Sequence, residues 1–179
     1  KPSSNYFGKE IAIAWAKNFI DQVKIEQKVS RVYFTQLPSD LSTYEIVDKK
    51  KIFISIMLPL LLNGNEKVSI ERSNLIMFFK KKKFNKLKTF CQKYKIKIID
   101  CNNINSLDNK KFVTLQNMLL GRVNVFPISM MLAQAIVESG WGGSRFAQKG
   151  NALFGQWTWD KKKGISPAGI DKPSFAVKS

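Results

Sequence analysis

One carboxylate stands out in the run from Ala133 to Trp159, AQAIVESGWGGSRFAQKGNALFGQWTW. The run is otherwise apolar, aromatic, amide-bearing and rich in glycine, and Glu138 is its one acidic residue. A carboxyl that gives a proton to a leaving sugar oxygen near neutral pH needs surroundings that disfavour its charged form, and apolar neighbours provide them by desolvation. We therefore predict that Glu138 is the general acid of a glycosidase.

A helix must hold this acid, and the sequence predicts where that helix begins and ends. Pro127 suits the first turn of a helix, and Gly140 ends it. Gln134, Ala135 and Glu138 fall on one face, with a more apolar strip beside them. Glu138 is thus expected in the last turn, directly before the glycine-rich break.

Other helices are predicted from apolar spacing. One should run from about residue 43 to Leu61, with Pro59 kinking or shortening it and Asn63-Gly64 ending it. A second should begin at a capping Ser73 and end in the lysine run 80–83. Two more are centred on residues 84–94 and 112–123. Residues 1–43 are weakly patterned and are interpreted as an N-terminal arm.

Length and charge define the broad class. The 179 residues suit one domain, and 30 Lys and Arg against 13 Asp and Glu give a net charge of +17. The excess is spread along the chain, with +10 in residues 1–108 and +7 in residues 109–179. No nucleic-acid recognition motif accompanies it, so we expect no nucleic-acid partner. No apolar run is long enough for a membrane span, and we expect no stable membrane insertion.

Cysteine and histidine usage limits the chemistry further. The chain has no histidine and two cysteines, Cys91 and Cys101, without a CxxC pair, so we expect no metal site and no cofactor. Cys91 falls on the apolar stripe of a predicted helix. We expect a buried free thiol there, with a Cys91–Cys101 disulfide as the alternative in an oxidising compartment.

The central run resembles a known family. The segments Ala133-Gln134-Ala135 through Gly142, then Ser144 to Ala147 and Asn151 to Trp157, are similar to the glucosaminidase domain of glycoside hydrolase family 73, in its bacterial Bax-like branch. Upstream, residues 47–75 and 119–125 resemble the leading helices of that branch. The similarity covers roughly residues 44–175.

The resemblance implies a mainly α, lysozyme-like helical domain with a small β-lobe near residues 156–176. Residues 44–107 would be leading helices and 108–179 the catalytic part, which we expect to be incomplete at its C-terminus because a helix with a tyrosine follows in the family. It also implies a peptidoglycan hydrolase of the endo-β-N-acetylglucosaminidase type in the periplasm or cell envelope. Because the first residue is Lys and not Met, we expect a processed or truncated chain whose signal peptide is gone.

Family residues carry over onto this sequence position by position. Glu138 would be the general acid. The other carboxylates after Asp108 are Asp160 and Asp171, and we expect Asp160 to be the second catalytic carboxylate because it falls where the family has its β-lobe; the alternative for Asp160 is a turn residue. Retaining, inverting and acetamido-assisted mechanisms all stay open, since the separation of the carboxyls distinguishes the first two and the last needs Glu138 alone. The residues expected to bind substrate are Ser139, Asn151, Phe154, Gln156 and Trp157. For Ser139 the alternative is a cap on the broken helix.

Two other functions compete with this one. The first is a lytic transglycosylase on the same fold, and the second is a non-catalytic wall-binding domain that lacks a competent second acid. This sequence departs from the branch at Ala152, where a second asparagine is usual, and at Thr158, where a cysteine is common. The sequence leaves the oligomeric state open.

Overall fold

The structure is a computed structural model that describes residues 8–38, 40–154, 157–158, 164–165 and 176–178. It is mainly helical. The helices are α1 (Lys9–Glu26), α2 (Ile46–Lys80), α3 (Phe84–Lys93), α4 (Asn109–Arg122), α5 (Ile128–Ser139) and α6 (Arg145–Gly150). Single 3-10 turns lie at Leu41–Thr43 and Ile104–Ser106, and the strands are β1 (Trp157–Thr158), β2 (Gly164–Ile165) and β3 (Ala176–Lys178).

The chain divides into two compact units. Residues 1–62 and 127–179 form one, which we call the flanking unit, and Asn63–Phe126 form the other, which we call the inserted unit. This division follows neither boundary expected from the sequence. Helix α2 begins in the flanking unit and ends in the inserted unit.

Helix α1 lies in the segment that the sequence predicted to be a weakly patterned arm, so that interpretation missed a helix of 18 residues. Its buried side chains, Ala12, Ala16 and Phe19, recur at helical spacing, but two of the three are alanine. Alanine gives a weak apolar signal in the sequence, although it allows close approach of neighbouring elements. Ala12 and Ala16 pack in one cluster with side chains of the first half of α2 and the turn before it, namely Leu41, Tyr44, Ile52 and Ile56.

Helix α2 is longer than the sequence predicted. It continues for 35 residues through Pro59 and through Asn63-Gly64, so the predicted stop is wrong. A proline and a glycine inside a helix together cost a few kcal/mol, and burial of apolar side chains outweighs such a cost. Phe53 and Met57, in the turns before Pro59, are almost fully buried. Ser73 is also not an N-cap, because it lies inside α2 and donates a hydrogen bond to the Ser69 carbonyl at 3.0 Å.

The inserted unit has its own core. Helices α3 and α4 confirm the helices predicted around residues 84–94 and 112–123. Asp108 caps α4 by accepting a hydrogen bond from the Lys111 N–H at 2.8 Å. The buried residues of this core are Leu75, Phe79, Leu87, Cys91, Ile96, Ile99, Ile104, Leu115, Leu119 and Val123.

A disulfide joins Cys91 to Cys101, so the expected free thiol is wrong. Their Cα atoms are 6.2 Å apart, within the ordinary range for a disulfide. Cys91 is buried in the core of the inserted unit, as its place on the apolar stripe of α3 predicted. Burial alone did not distinguish a thiol from a disulfide, because the loop that brings Cys101 to Cys91 has no periodic pattern.

In the flanking unit α5 packs on the first half of α2. Ala135 is fully buried with Phe53, Met57 and Leu61, and apolar side chains of α5 surround this cluster. The three strands form an antiparallel sheet in the order β1-β3-β2, with Trp157 opposite Val177 and Ile165 also opposite Val177. Strand β2 lies beside α6. These strands are two or three residues long, and the β-lobe itself remains a prediction because most of residues 155–175 lie outside the described ranges.

Candidate active site

Helix α5 places Glu138 where the sequence predicted it. The helix follows Pro127 and ends at Gly140, which adopts a left-handed conformation (φ 57°, ψ 50°). A glycine makes this turn without the steric cost of a Cβ atom. Glu138 is the second-last residue of the helix, and its side chain is exposed.

The carboxylate of Glu138 has a partner one turn earlier on the same helix. The Gln134 side-chain amide donates a hydrogen bond of 2.8 Å from Nε2 to Glu138 Oε1. Residues four apart on a helix are neighbours, and such an amide–carboxylate pair stabilises the arrangement modestly. The contact fixes one carboxylate oxygen and leaves Oε2 for another partner. The i, i+4 spacing of Gln134 and Glu138 was visible in the sequence, but we assigned Gln134 no role.

The surroundings of Glu138 differ from the predicted ones. We expected apolar neighbours to desolvate the carboxyl, yet Glu138 and its neighbour Val137 are both exposed, Val137 to 77%. The apolar side chains of α5 that do pack against the core, such as Leu132 and Ile136, lie in the cluster with Phe53 of α2. The prediction that apolar neighbours desolvate Glu138 is therefore wrong for this part of the chain.

Ser139 supports the turn after the acid. It is fully buried, and its hydroxyl donates to the Ala135 carbonyl at 2.5 Å and accepts from the Gly142 N–H at 2.9 Å. Both contacts belong to the end of α5. They favour the capping role over direct contact with a substrate.

Gly142 fixes this turn against the core. It has φ of 73°, and a Cβ atom there would lie 2.7 Å from Leu37 Cδ1 and 3.0 Å from Phe53 Cδ2. The Gln148 side chain donates from Nε2 to the Gly142 carbonyl at 2.6 Å. The N–H and the carbonyl of Gly142 are therefore both hydrogen-bonded, the N–H to Ser139 and the carbonyl to Gln148. The sequence did not reveal the contact with Gln148.

Trp141 packs inside the flanking unit. Its ring meets that of Phe53 edge to face at a centroid distance of 6.0 Å, and Lys50 Nζ lies 5.2 Å from the ring centroid. Arg145 lies over the Phe146 ring at 5.1 Å, in the first turn of α6. Ser144 caps that helix by accepting from the Ala147 N–H at 3.1 Å.

Three more of the residues predicted to bind sugar lie within the described ranges. Asn151 follows α6 in a left-handed conformation, and its Nδ2 donates to the Thr35 carbonyl at 2.7 Å. Phe154 is 42% exposed. Trp157 lies in β1, and only its backbone is described. Asp160 and Gln156 lie outside the described residues.

The described site offers a proton-transfer group and no metal-binding cluster. Across the residues with described positions, His, Cys, Asp and Glu side chains form no group of three or more that could hold a metal ion. An exposed carboxyl whose one oxygen is hydrogen-bonded can donate or accept a proton at the other. The site therefore has the components of acid–base chemistry at Glu138.

Comparison with known proteins identifies the family. The family described as mannosyl-glycoprotein endo-beta-N-acetylglucosaminidase, or glucosaminidase, matches residues 113–174, a range that includes α5, α6 and the strands β1 and β2. No solved structure matches the chain significantly. The chain thus falls in the class of proteins that carry a glucosaminidase domain.

A curated relative narrows this class. The chain is 32% identical over 142 residues to the protein called bax from Escherichia coli strain K12, and the match covers 75% of this chain and 48% of the relative. The chain therefore spans about half the length of that relative. It belongs to the Bax-like glucosaminidase proteins, as the sequence motifs predicted.

Proposed function

We propose that this protein is a glycoside hydrolase that cleaves the glycan strand of peptidoglycan after N-acetylglucosamine, with Glu138 as general acid. The observation that carries the proposal is the exposed Glu138 carboxyl at the end of α5, bonded to Gln134 inside the range that matches the glucosaminidase family. A lysozyme-like arrangement with a β-lobe near residues 156–176 belongs to the same proposal.

Glu138 would act by proton transfer. When the glycosidic bond breaks, positive charge develops on the sugar ring and negative charge on the leaving oxygen. Protonation of that oxygen by the carboxyl lowers the barrier. Gln134 bonds Oε1 and so favours one orientation of the carboxyl, which leaves Oε2 available to the leaving oxygen.

A second group must stabilise the sugar cation or activate water. Asp160, which lies between β1 and β2 in the sequence, is our candidate, and the acetamido oxygen of the substrate is the alternative. Phe154, with its exposed ring, would stack on a sugar face, and Gln156 and Trp157 would complete the binding site. Asn151 would act by fixing its loop to Thr35, since its amide nitrogen is already bonded there.

Peptidoglycan as substrate implies a location outside the cytoplasm. The Cys91–Cys101 disulfide supports that location, since structural disulfides persist mainly in oxidising compartments. Among the described residues, no helix has the length and apolarity that crossing a membrane requires. We therefore place the protein in the periplasm or cell envelope.

The test is Glu138→Gln, assayed by release of reducing ends from purified peptidoglycan. Glutamine keeps the shape and loses the acid, so turnover should fall at least about a hundredfold, the usual size of a general-acid contribution. Glu26→Gln is the matched control, because Glu26 is also an exposed glutamate at the C-terminal end of a helix. Turnover in Glu138→Gln equal to that of the control would remove Glu138 from the mechanism.

Products and a second variant distinguish the alternatives. Mass spectrometry that finds anhydromuramic ends would assign a lytic transglycosylase. Sedimentation with peptidoglycan without any turnover would assign a wall-binding domain. A loss in Asp160→Asn as large as in Glu138→Gln would identify the second acid, whereas unchanged turnover would favour the acetamido oxygen.

A further inference from the structure

The net positive charge is concentrated in the inserted unit. This unit has fourteen Lys and Arg against four Asp and Glu, a net of +10, whereas the rest of the chain is longer and has a net of +7. Residues 1–108 and residues 109–179 do not show this difference, because each range contains part of the inserted unit. The four carboxylates balance four of the fourteen positive charges, so an excess of ten positive charges remains in the unit.

Lysine supplies most of the exposed charge, and both arginines of the unit, half-buried Arg72 and exposed Arg122, bond to backbone carbonyls. Arg72 donates to the backbone carbonyls of Leu120 and Val123, the latter at 2.7 Å. Arg122 donates to the carbonyls of Tyr94 and Lys95, the latter at 3.1 Å. Both arginines of the unit therefore hold its chain segments together. A general preference for lysine in the sequence would enrich both units alike, yet the inserted unit has twelve lysines in the shorter stretch and the flanking unit fourteen in the longer one.

Three lysines surround one depression on the inserted unit. Lys88, Lys95 and Lys97 line an open depression of about 430 Å³, and the Cys91–Cys101 disulfide forms part of its wall. We call these three residues the lysine surface. Lys95 and Lys97 are exposed, and Lys88 is half-buried.

Asp100 is the one carboxylate that lines this depression, and its oxygens are already engaged. Oδ1 accepts from the Asn102 N–H at 2.9 Å, and Oδ2 accepts from Asn103 Nδ2 at 2.8 Å. These two hydrogen bonds, with a smaller contribution from Lys88, lower the pKa of Asp100. Three lysines and one carboxylate thus line the depression, an excess of two positive charges that would attract a further anion.

We propose that the lysine surface binds the carboxylates of peptidoglycan peptide stems and holds the protein on the wall independently of Glu138. The choice of polymer rests on the proposed function. Ammonium groups attract carboxylates without strict geometry, whereas phosphate and base recognition favours the guanidinium fork of arginine. Both arginines of this unit are committed to backbone carbonyls. Because peptide stems repeat along a glycan strand, several weak contacts would form at once and together raise the apparent affinity.

Sedimentation with insoluble peptidoglycan tests this proposal. The protein carries Glu138→Gln throughout, so that the wall is not degraded and binding is measured without turnover. Lys88→Gln, Lys95→Gln and Lys97→Gln are combined and should weaken binding about tenfold at low salt. The combined control is Lys17→Gln, Lys24→Gln and Lys28→Gln, which removes the same charge from exposed lysines of the flanking unit and should change binding less than twofold.

Two further arms identify the partner. Peptidoglycan whose carboxyls have been converted to amides should bind the starting protein as weakly as native peptidoglycan binds the lysine variant. About 0.5 M NaCl should screen the charges and so abolish the difference between the starting protein and the lysine variant in binding to native peptidoglycan. Equal binding by the lysine variant and the control would overturn the proposal. Tighter binding to duplex DNA than to peptidoglycan, lost in the lysine variant, would overturn it in favour of nucleic acid. Reducing ends measured in the supernatant of each sample check that the wall stays intact, so a failure of the proposed function would be visible separately from a failure of binding.

Discussion

Gln134 and Glu138 form a pair one helical turn apart, in which the glutamine amide donates a 2.8 Å hydrogen bond to the glutamate carboxylate. Both side chains are exposed, so the pair does not contribute to the core. Its effect is to reduce the orientations of the carboxyl before substrate binds, and a fixed orientation reduces the entropy that the reaction must lose. Gln134 is thus expected to act as a positioning residue for Glu138.

Gln134→Leu should lower kcat more than it changes KM. The loss of one hydrogen bond corresponds to about 0.5–1.5 kcal/mol, or roughly 2–10-fold in kcat. Because Gln134 is exposed, the free energy of unfolding should change by less than about 0.5 kcal/mol. Val137→Ala, on the same exposed end of α5, is the control and should leave kcat unchanged. Equal kcat values for the two variants would contradict the positioning role.

Gly142→Ala should destabilise the protein by about 2 kcal/mol or more. A Cβ atom there would lie 2.7 Å from Leu37 Cδ1, and the φ of 73° is unfavourable for alanine. Gly64→Ala is the opposite case, because Gly64 lies inside α2 with nothing within 4 Å of an added Cβ. That variant should be more stable by up to about 1 kcal/mol. Urea unfolding measures both, and shifts of the same sign would contradict this account of Gly142.

Reduction of the Cys91–Cys101 disulfide should destabilise the inserted unit by about 2–4 kcal/mol. Hydrogen exchange should show the loss in core residues of that unit, such as Leu87 and Leu115, and far less in α5. The Cys91→Ala, Cys101→Ala double variant is the control, since reductant should leave its stability unchanged. Two reactive thiols in the unreduced, denatured protein would show that the bond is absent.

Glu71 should make the stability of the inserted unit depend on pH in the acid range. Burial alone would raise the pKa of Glu71, but hydrogen bonds from Lys93 and Tyr94 and the charge of Lys93 together lower it. Tyr94 donates to Glu71 Oε2 at 2.8 Å. A lowered pKa means that the folded state favours the charged form. Its contribution is therefore complete above the ordinary pKa of about 4.5 and disappears as the pH falls through the lower folded value.

Glu71→Gln should flatten this dependence. Urea unfolding between about pH 5 and pH 3 should show a smaller decline of the free energy of unfolding in the variant than in the starting protein. Glu26→Gln is a suitable control, because Glu26 is exposed on α1 in the other unit. An equal decline in all three proteins would contradict the role of Glu71.

Local sequence signals predicted the elements that depend on local chemistry. Regular apolar spacing identified α3 and α4, and Pro127 with Gly140 bounded α5 nearly correctly. The same reasoning failed for α2, because Pro59 and Gly64 are breakers only when tertiary packing does not compensate for them. It also missed α1, whose core contacts are made mainly by two alanines and one phenylalanine.

The sequence by itself determined the place of Glu138 at a helix end and the family to which the chain belongs, because both depend on neighbouring residues along the chain. The tertiary structure decided the exposure of Glu138, the disulfide and the separation of charge into the inserted unit. It also brought Asn151 to Thr35, a hydrogen bond between residues 116 apart in sequence, and set Gly142 against Leu37 and Phe53. Such contacts depend on the packing of distant segments, which no local periodicity specifies.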